Sequence, residues 1–255
     1  MIPKIVPPLT DLAVLVTRPE PQCGVLCAEI ERLGGVAAAL PAIVIRPLES
    51  APVEDFDLIV FVSVNAVEHG ARLVRKTART RIAAIGRATA AALAAANLPA
   101  DIVPEAGFDS EALLARPELA HTPSMRAAII RGEGGRELLR ETLLARGATV
   151  EMREVYRRER PNIDPPRLAQ IESYWEEDGF DVVTLTSVQT LQHLQEMLSQ
   201  RGRELLCTTP LLVASRRIAD AALAAGLQGD VLLARGADDA SMIGALAQWR
   251  TRART

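Results

Sequence analysis

The stretch Phe56-Asp57-Leu58-Ile59-Val60-Phe61-Val62-Ser63-Val64-Asn65 returns later in the chain as Phe180-Asp181-Val182-Val183-Thr184-Leu185-Thr186-Ser187-Val188-Gln189. Each copy is an apolar run closed by Ser-Val and an amide residue, and each leads into a helical pattern. Each therefore reads as a strand feeding a helix through a polar turn. In open α/β sheets, ligands bind at such turns.

The repetition extends outward. Arg81 to Glu111 aligns without a gap onto Pro210 to Ala240, pairing Gly86 with Ser215, Arg87 with Arg216, Asp101 with Asp230 and Asp109 with Asp238. A shorter unit, Thr17-Arg18-Pro19-Glu20 through Leu26 to Gly34, matches Ile130-Arg131-Gly132-Glu133 through Leu139 to Gly147. The order is short, long, short, long. A solenoid needs more copies at a short fixed period, so duplication of a βα domain fits better.

Composition agrees with that reading. The chain has 255 residues, 49% hydrophobic and only 3% aromatic, which suits two aliphatic cores between sheets and helices. A net charge of -3 argues against a general nucleic-acid or membrane surface, although 29 Lys and Arg residues, mostly Arg, can still build local anion sites. Cys23, Cys27 and Cys207 have no histidine nearby in sequence and read as reduced, packed thiols with no metal. The N-terminal Met1-Ile2-Pro3-Lys4-Ile5-Val6-Pro7-Pro8 lacks the apolar core of a signal peptide, and no stretch approaches the roughly 20 apolar residues of a membrane span. The expectation is a cytoplasmic monomer.

Strand-like runs at Ala13 to Thr17, Leu58 to Val62, Ile82 to Ile85, Ala127 to Arg131, Val182 to Thr186 and Leu211 to Ala214 each precede a helical pattern. Val25, Leu26, Ile30 and Leu33 fall on one face of the first helix, and Leu191, Leu194, Met197 and Leu198 on one face of a later one. This alternation predicts an α/β fold with parallel sheets covered by helices on both faces. Asp164-Pro165 starts another helix, leading toward Trp175 and stopping near Gly179. Two extended segments, Leu40 to Pro47 and Val150 to Arg157, read as connectors. They leave two arrangements open: a single cut near residue 120, or one domain inserted into another.

Polar or glycine-bearing turns join strands to helices at Arg18, at Ser63 and Asn65, at Gly86, Arg87 and Thr89, and at Arg131, Gly132, Gly135 and Arg136. Their later counterparts lie at Ser187 and Gln189 and at Ser215 and Arg216. Helix N-termini expose unpaired N–H groups, and arginine adds a charged fork, so such turns suit carboxylates or phosphates. Capping is the competing role for each one singly. The glycines around Gly132 match neither a P-loop nor a dinucleotide fingerprint. His69, His121 and His193 have no metal spacing, and no Ser-His-Asp or Cys-His arrangement is readable. Tyr156, in the second connector beside Arg153, Arg157 and Arg158, is a candidate proton donor or an interdomain packing residue.

Taken in order, these segments resemble the uroporphyrinogen-III synthase family. The resemblance rests on Val16-Thr17-Arg18-Pro19 with Gln22, Pro41-Ala42-Ile43, Val62-Ser63-Val64-Asn65-Ala66-Val67 and Ala84-Ile85-Gly86-Arg87-Ala88-Thr89-Ala90. It continues in Arg131-Gly132-Glu133-Gly134-Gly135-Arg136, Val155-Tyr156-Arg157-Arg158 and Ser215-Arg216-Arg217-Ile218-Ala219. It implies two flavodoxin-like domains joined by a two-stranded connector, with residues 1–41 and 163–255 forming a discontinuous domain, 48–149 an inserted one, and 42–47 and 150–162 the connectors.

The implied reaction closes hydroxymethylbilane, a linear tetrapyrrole with eight carboxylates, to uroporphyrinogen III. Water is lost, the last pyrrole is inverted, and no cofactor is needed. Tyr156 matches the family tyrosine proposed as proton donor, and Ser63 and Thr89 match polar positions of the cleft. Thr17, Arg18, Asn65, Gly86, Arg87, Arg131, Gly132, Gly135, Arg136, Ser187, Gln189, Ser215 and Arg216 complete the expected substrate-holding set. The family's frequent Thr-Ser-Pro stands here as Val62-Ser63-Val64, and its Gly-x-x-Thr as Ser215-Arg216-Arg217-Ile218. Nesting would bring Ser63 and Ser187 to one ligand from opposite sides. The alternatives are a two-domain sensor that binds an anion without turnover and a nucleotide-binding α/β enzyme, the second lacking its P-loop ending.

Overall fold

A computed structural model describes residues 7–107, 109–177 and 179–253; Met1 to Val6, within the segment searched for a leader, lie outside the described residues. The chain forms two compact units, one comprising Met1–Val44 and Glu159–Thr255, the other Ile45–Arg158. The first holds a five-stranded sheet built from β1 (Ala13–Val16), β2 (Val36–Ala39), β8 (Val182–Leu185), β9 (Leu211–Val213) and β10 (Val231–Leu233). Their spatial order is β2-β1-β8-β9-β10, with all neighbouring strands parallel. Within the unit this is the flavodoxin order 2-1-3-4-5.

The second sheet contains β3 (Val44–Pro47), β4 (Leu58–Phe61), β5 (Arg81–Ala84), β6 (Arg126–Gly132) and β7 (Thr149–Glu159), in the order β5-β4-β6-β7-β3. Its first four positions repeat the flavodoxin pattern. Of the segments read as connectors, Val44 to Pro47 and the whole of Val150 to Arg157 are strands of this sheet. The first half of β7 runs parallel to β6, while the Leu48 N–H donates to the Val155 carbonyl at 3.0 Å beside β3.

Strand alternation divides each interior into two cores. Leu15, Val183 and Leu185 pack on one face of the first sheet, with Trp175 and Phe180, whereas Val14, Val16 and Val182 pack on the other. That second face is covered by α1 (Gln22–Arg32) and α10 (Asp239–Ala253). The buried stripe of α1 is Cys23, Leu26 and Ile30; Val25, which spacing assigned to it, is 56% exposed because the helix turns Cys23 inward. The Cys23 thiol donates to the Val16 carbonyl at 3.4 Å, and its hydrogen bond with Cys27, together with burial, raises its pKa.

In the second sheet Ile59 and Phe61 face one core and Leu58 and Val60 the other. The helix α6 (Pro165–Glu177) follows Asp164 as spacing predicts, and Trp175 within it donates Nε1–H to Thr209 at 3.0 Å. Two strands escaped the sequence reading: β2, whose Val-Ala-Ala-Ala has a single branched residue, and β10, three residues long.

Residues matched between the two long repeats make the same ties. Asp57 accepts the Arg126 N–H at 3.0 Å and Asp181 accepts the Ala13 N–H at 2.7 Å, each carboxylate fastening the start of the neighbouring strand. Asp109 accepts the Ala112 N–H at 2.8 Å and Asp238 the Ser241 N–H at 2.9 Å, each capping a helix. Among the described residues, no helix is long and apolar enough to cross a membrane, and no cluster of three or more His, Cys, Asp or Glu could hold a metal.

Candidate active site

In the second unit the strand order reverses between β4 and β6, the position where doubly wound sheets open a crevice beyond their carboxyl ends. A cavity of about 300 Å³ lies there, lined among others by Ser63, Arg131, Gly132, Arg136, Tyr156 and Arg158. After β4 the chain turns at Ser63, whose extended backbone caps α2 (Val64–Gly70) by accepting the Ala66 N–H at 3.0 Å. The cap leaves the hydroxyl on the cavity side of the turn. Its oxygen is 3.1 Å from the Tyr156 hydroxyl.

Tyr156 arrives by way of an irregularity. Consecutive strand residues normally point to opposite faces, yet Val155 and Tyr156 both belong to the core that holds Phe61 and Ile130. The register explains this: Arg131 pairs with Glu154 but Gly132 pairs with Tyr156, so one extra residue of β7 is accommodated. The phenol then lies across Gly132, where a Cβ would stand 2.5 Å from the ring carbon bearing the hydroxyl. Glycine is required by this approach. Tyr156 is only 1% exposed; His69 packs at 5.9 Å between ring centroids, while Arg158 lies 5.2 Å from the ring centre and donates Nη2–H to the hydroxyl at 2.8 Å.

The arginines of the turn after β6 are already engaged. Arg131 is buried, donating Nε–H to the Gly132 carbonyl at 3.1 Å and Nη1–H to Glu137 at 2.9 Å. Gly134 and Gly135 take φ of +70° and +100°, and a Cβ on Gly135 would come within 2.8 Å of the Arg131 guanidinium. Arg136 is exposed and pairs with Glu111, whose carboxyl it holds below the usual range. Asn65 is partly exposed in the first turn of α2. Beyond β5, Gly86 precedes α3 (Arg87–Ala95); Arg87 is exposed and reaches the Glu105 carbonyl at 3.3 Å, and Thr89 is buried. These three residues do not line the cavity.

In the first unit, Ser187 caps α7 (Val188–Met197) by accepting the Thr190 N–H at 3.0 Å and shares a 2.8 Å hydrogen bond with the Thr190 hydroxyl. Gln189 is partly exposed in the same turn. Thr17 is fully buried; its N–H donates to the Thr184 hydroxyl at 3.2 Å and its own hydroxyl to the Thr184 carbonyl. Arg18 is also buried, paired with Asp239 at the start of α10 and 3.4 Å from Gln22. Ser215 precedes α9 (Arg216–Ala224) without a side-chain cap, and Arg216 is exposed.

Sequence reasoning did not select Arg158 as a site residue. It stands two residues from Tyr156 on one strand, a spacing that puts both side chains on one face, and that signal was available. Glu111, which pairs with Arg136, had no comparable signal, because the two lie 25 positions apart, whereas Glu137 stands only six residues beyond its partner Arg131.

Comparison with known proteins decides the family. A family model described as uroporphyrinogen-III synthase HemD matches residues 25–243. The chain belongs to the uroporphyrinogen-III synthase family. It is 35% identical over 258 residues to the uroporphyrinogen-III synthase of Salmonella typhimurium, covering 92% of this chain and all of that one. It is 34% identical over 249 residues to the Escherichia coli K12 protein of the same name, again covering 92% of this chain and all of the relative. Among solved structures it is similar to a Helicobacter pylori uroporphyrinogen-III synthetase, with a TM-score of 0.61, 11% identity and coverage of 96% and 100%. A mutant Thermus thermophilus uroporphyrinogen III synthase gives 0.59, 21% identity and coverage of 95% and 99%. Those two likenesses establish the fold, and the family model and the curated relatives establish membership.

Proposed function

We propose that this protein is a cyclising lyase that converts hydroxymethylbilane to uroporphyrinogen III in tetrapyrrole biosynthesis. Membership of the family carries this reading, and it favours turnover over an anion sensor. The switch-point cluster of Ser63, Tyr156, Gly132 and Arg158 supports it chemically.

The reaction asks little covalent chemistry of the protein. Protonation of the hydroxymethyl oxygen releases water and leaves an azafulvenium; ring closure then forms a carbon–carbon bond and discharges one proton from a pyrrole carbon. Unassisted closure gives the symmetric type I isomer, so the enzyme's main contribution is to hold the chain in the geometry that inverts the last ring. Arginines and helix N-termini suit the eight carboxylates. We assign Arg131, Arg136 and the N–H groups around Gly132 and Gly135 to that task in the second unit, and Asn65, Gly86, Arg87 and Thr89 to it from outside the cavity lining. In the first unit we assign it to Thr17, Arg18, Ser187, Gln189, Ser215 and Arg216. Tyr156 is assigned as the source of the proton. A site with two neutralised arginines suits exchange of Glu111 and Glu137 for substrate acids.

The test supplies freshly generated hydroxymethylbilane and separates the products. Uroporphyrinogen III formed above the spontaneous rate is expected. Type I product alone, at the spontaneous rate, would overturn the assignment.

A further inference from the structure

We propose that Ser63 hands the proton to the departing hydroxyl and that Tyr156 supplies Ser63 from behind, with Arg158 positioning the phenol. The inference rests on the cyclising reading above and deepens it. Three observations carry it. First, both residues line the cavity, but Tyr156 is 1% exposed, packed under Gly132 and against His69, whereas Ser63 is half-buried. Second, the two hydroxyl oxygens are 3.1 Å apart. Third, each oxygen accepts an N–H on its other side, Ser63 from Ala66 and Tyr156 from Arg158.

Arg158 has only N–H donors, so at 2.8 Å it uses the phenol oxygen as an acceptor and leaves the phenol proton to point elsewhere. Ser63 likewise accepts the Ala66 N–H, so each oxygen keeps a proton of its own to bridge the 3.1 Å between them. The relay uses the sense in which Tyr156 donates to Ser63 and the Ser63 proton meets substrate.

The step balances as follows. The Ser63 O–H proton moves to the hydroxymethyl oxygen as the carbon–oxygen bond breaks, and water departs. The Tyr156 proton moves to Ser63, and the phenolate that remains faces the Arg158 guanidinium. When the ring closes, the proton lost from the pyrrole carbon returns along the same two oxygens. No other reactant is consumed. In this scheme Ser63 is the catalytic residue that meets substrate, Tyr156 its proton source, and Arg158 a positioning residue.

Six variants of the full chain test the scheme by kcat, KM and product isomer. Ser63→Asn keeps a side chain able to cap α2 but has no hydroxyl proton to pass on. It and Tyr156→Phe are each expected to lower kcat about 100-fold, with KM changed less than about threefold. The double variant is expected to fall no further than the worse single, because the two groups act in series. Ser63→Thr, which restores both cap and hydroxyl, is expected within about fivefold of the parent kcat, and circular dichroism confirms folding of each. Losses that multiply in the double variant, a Ser63→Asn enzyme with parental kcat, or an effect confined to KM would each overturn the relay. Failure of the parent enzyme to make type III product would instead strike the proposed function itself. Arg158→Met should lower kcat in the parent and leave it unmoved in the Tyr156→Phe background; loss in both backgrounds would overturn its positioning role.

Discussion

Ser63 and Ser187 occupy the same place in two copies of one pattern, and they differ in a single neighbour. Both cap a helix through a 3.0 Å bond from the N–H three residues on. The hydroxyl of Ser187 then meets the Thr190 hydroxyl of its own helix at 2.8 Å, whereas that of Ser63 meets Tyr156 from a different strand. The two copies therefore share the turn, and only Ser63 reaches a hydroxyl carried by another strand. The same contrast runs through the arginines: Arg18 is buried against Asp239 at the foot of a helix, while Arg131 and Arg136 stand at a cavity.

The largest expected effect that could break this comparison is at Tyr156. Tyr156→Phe should lower kcat about 100-fold while Ser187→Ala lowers it far less and raises KM, since the Ser187 hydroxyl meets Thr190 and not a phenol. Parity between the two in steady-state kinetics would erase the asymmetry. Next comes Gly132→Ala, whose Cβ cannot coexist with the present phenol position at 2.5 Å. A cost of about 1–3 kcal/mol is expected in denaturant unfolding, together with loss of type III product. Unchanged values in both would overturn the close approach of the ring to Gly132.

Arg18→Ala should be felt mainly as stability. The pair with Asp239 is buried on one side only, with the carboxylate side chain 38% exposed, so about 1–2 kcal/mol is expected after solvent screening, read as a fall in the unfolding midpoint. The paired strand ties sharpen the comparison in the other direction. Asp57→Ala and Asp181→Ala should cost about the same, roughly 1–2 kcal/mol, each in the unfolding transition of its own unit. Unequal costs would show that the repeats have diverged in structure as well as chemistry.

The smallest effect is at Asp238. The Ser241 hydroxyl and then its N–H bond this carboxylate and hold its pKa below the usual range. With the folded value depressed, the stabilisation is present above the unfolded carboxylate range, about pH 4, and is lost as pH falls through the folded value. Asp238→Asn should retain the cap and flatten that acid limb of the stability profile. An unchanged limb would remove Asp238 from it.

Particular residues show how much was legible. The strand-helix punctuation, the caps at Ser63 and Ser187, and the helix opened by Asp164-Pro165 were readable because each depends on neighbours within a few residues. β2 was not, since Val36-Ala37-Ala38-Ala39 is extended by pairing with β1 and has little preference of its own. Val25 shows the same limit, because helical spacing fixes which residues share a face but not which face turns to the sheet.

By itself the sequence determined the alternation of strands and helices, the duplication and the turns able to meet anions, because hydrophobic period and capping chemistry are local. Only the tertiary structure decided that Tyr156, carried by one extra residue in β7, crosses Gly132 to meet Ser63 under the hand of Arg158. That meeting joins residues 93 positions apart, and its geometry is set by strand register, which a one-residue shift reverses.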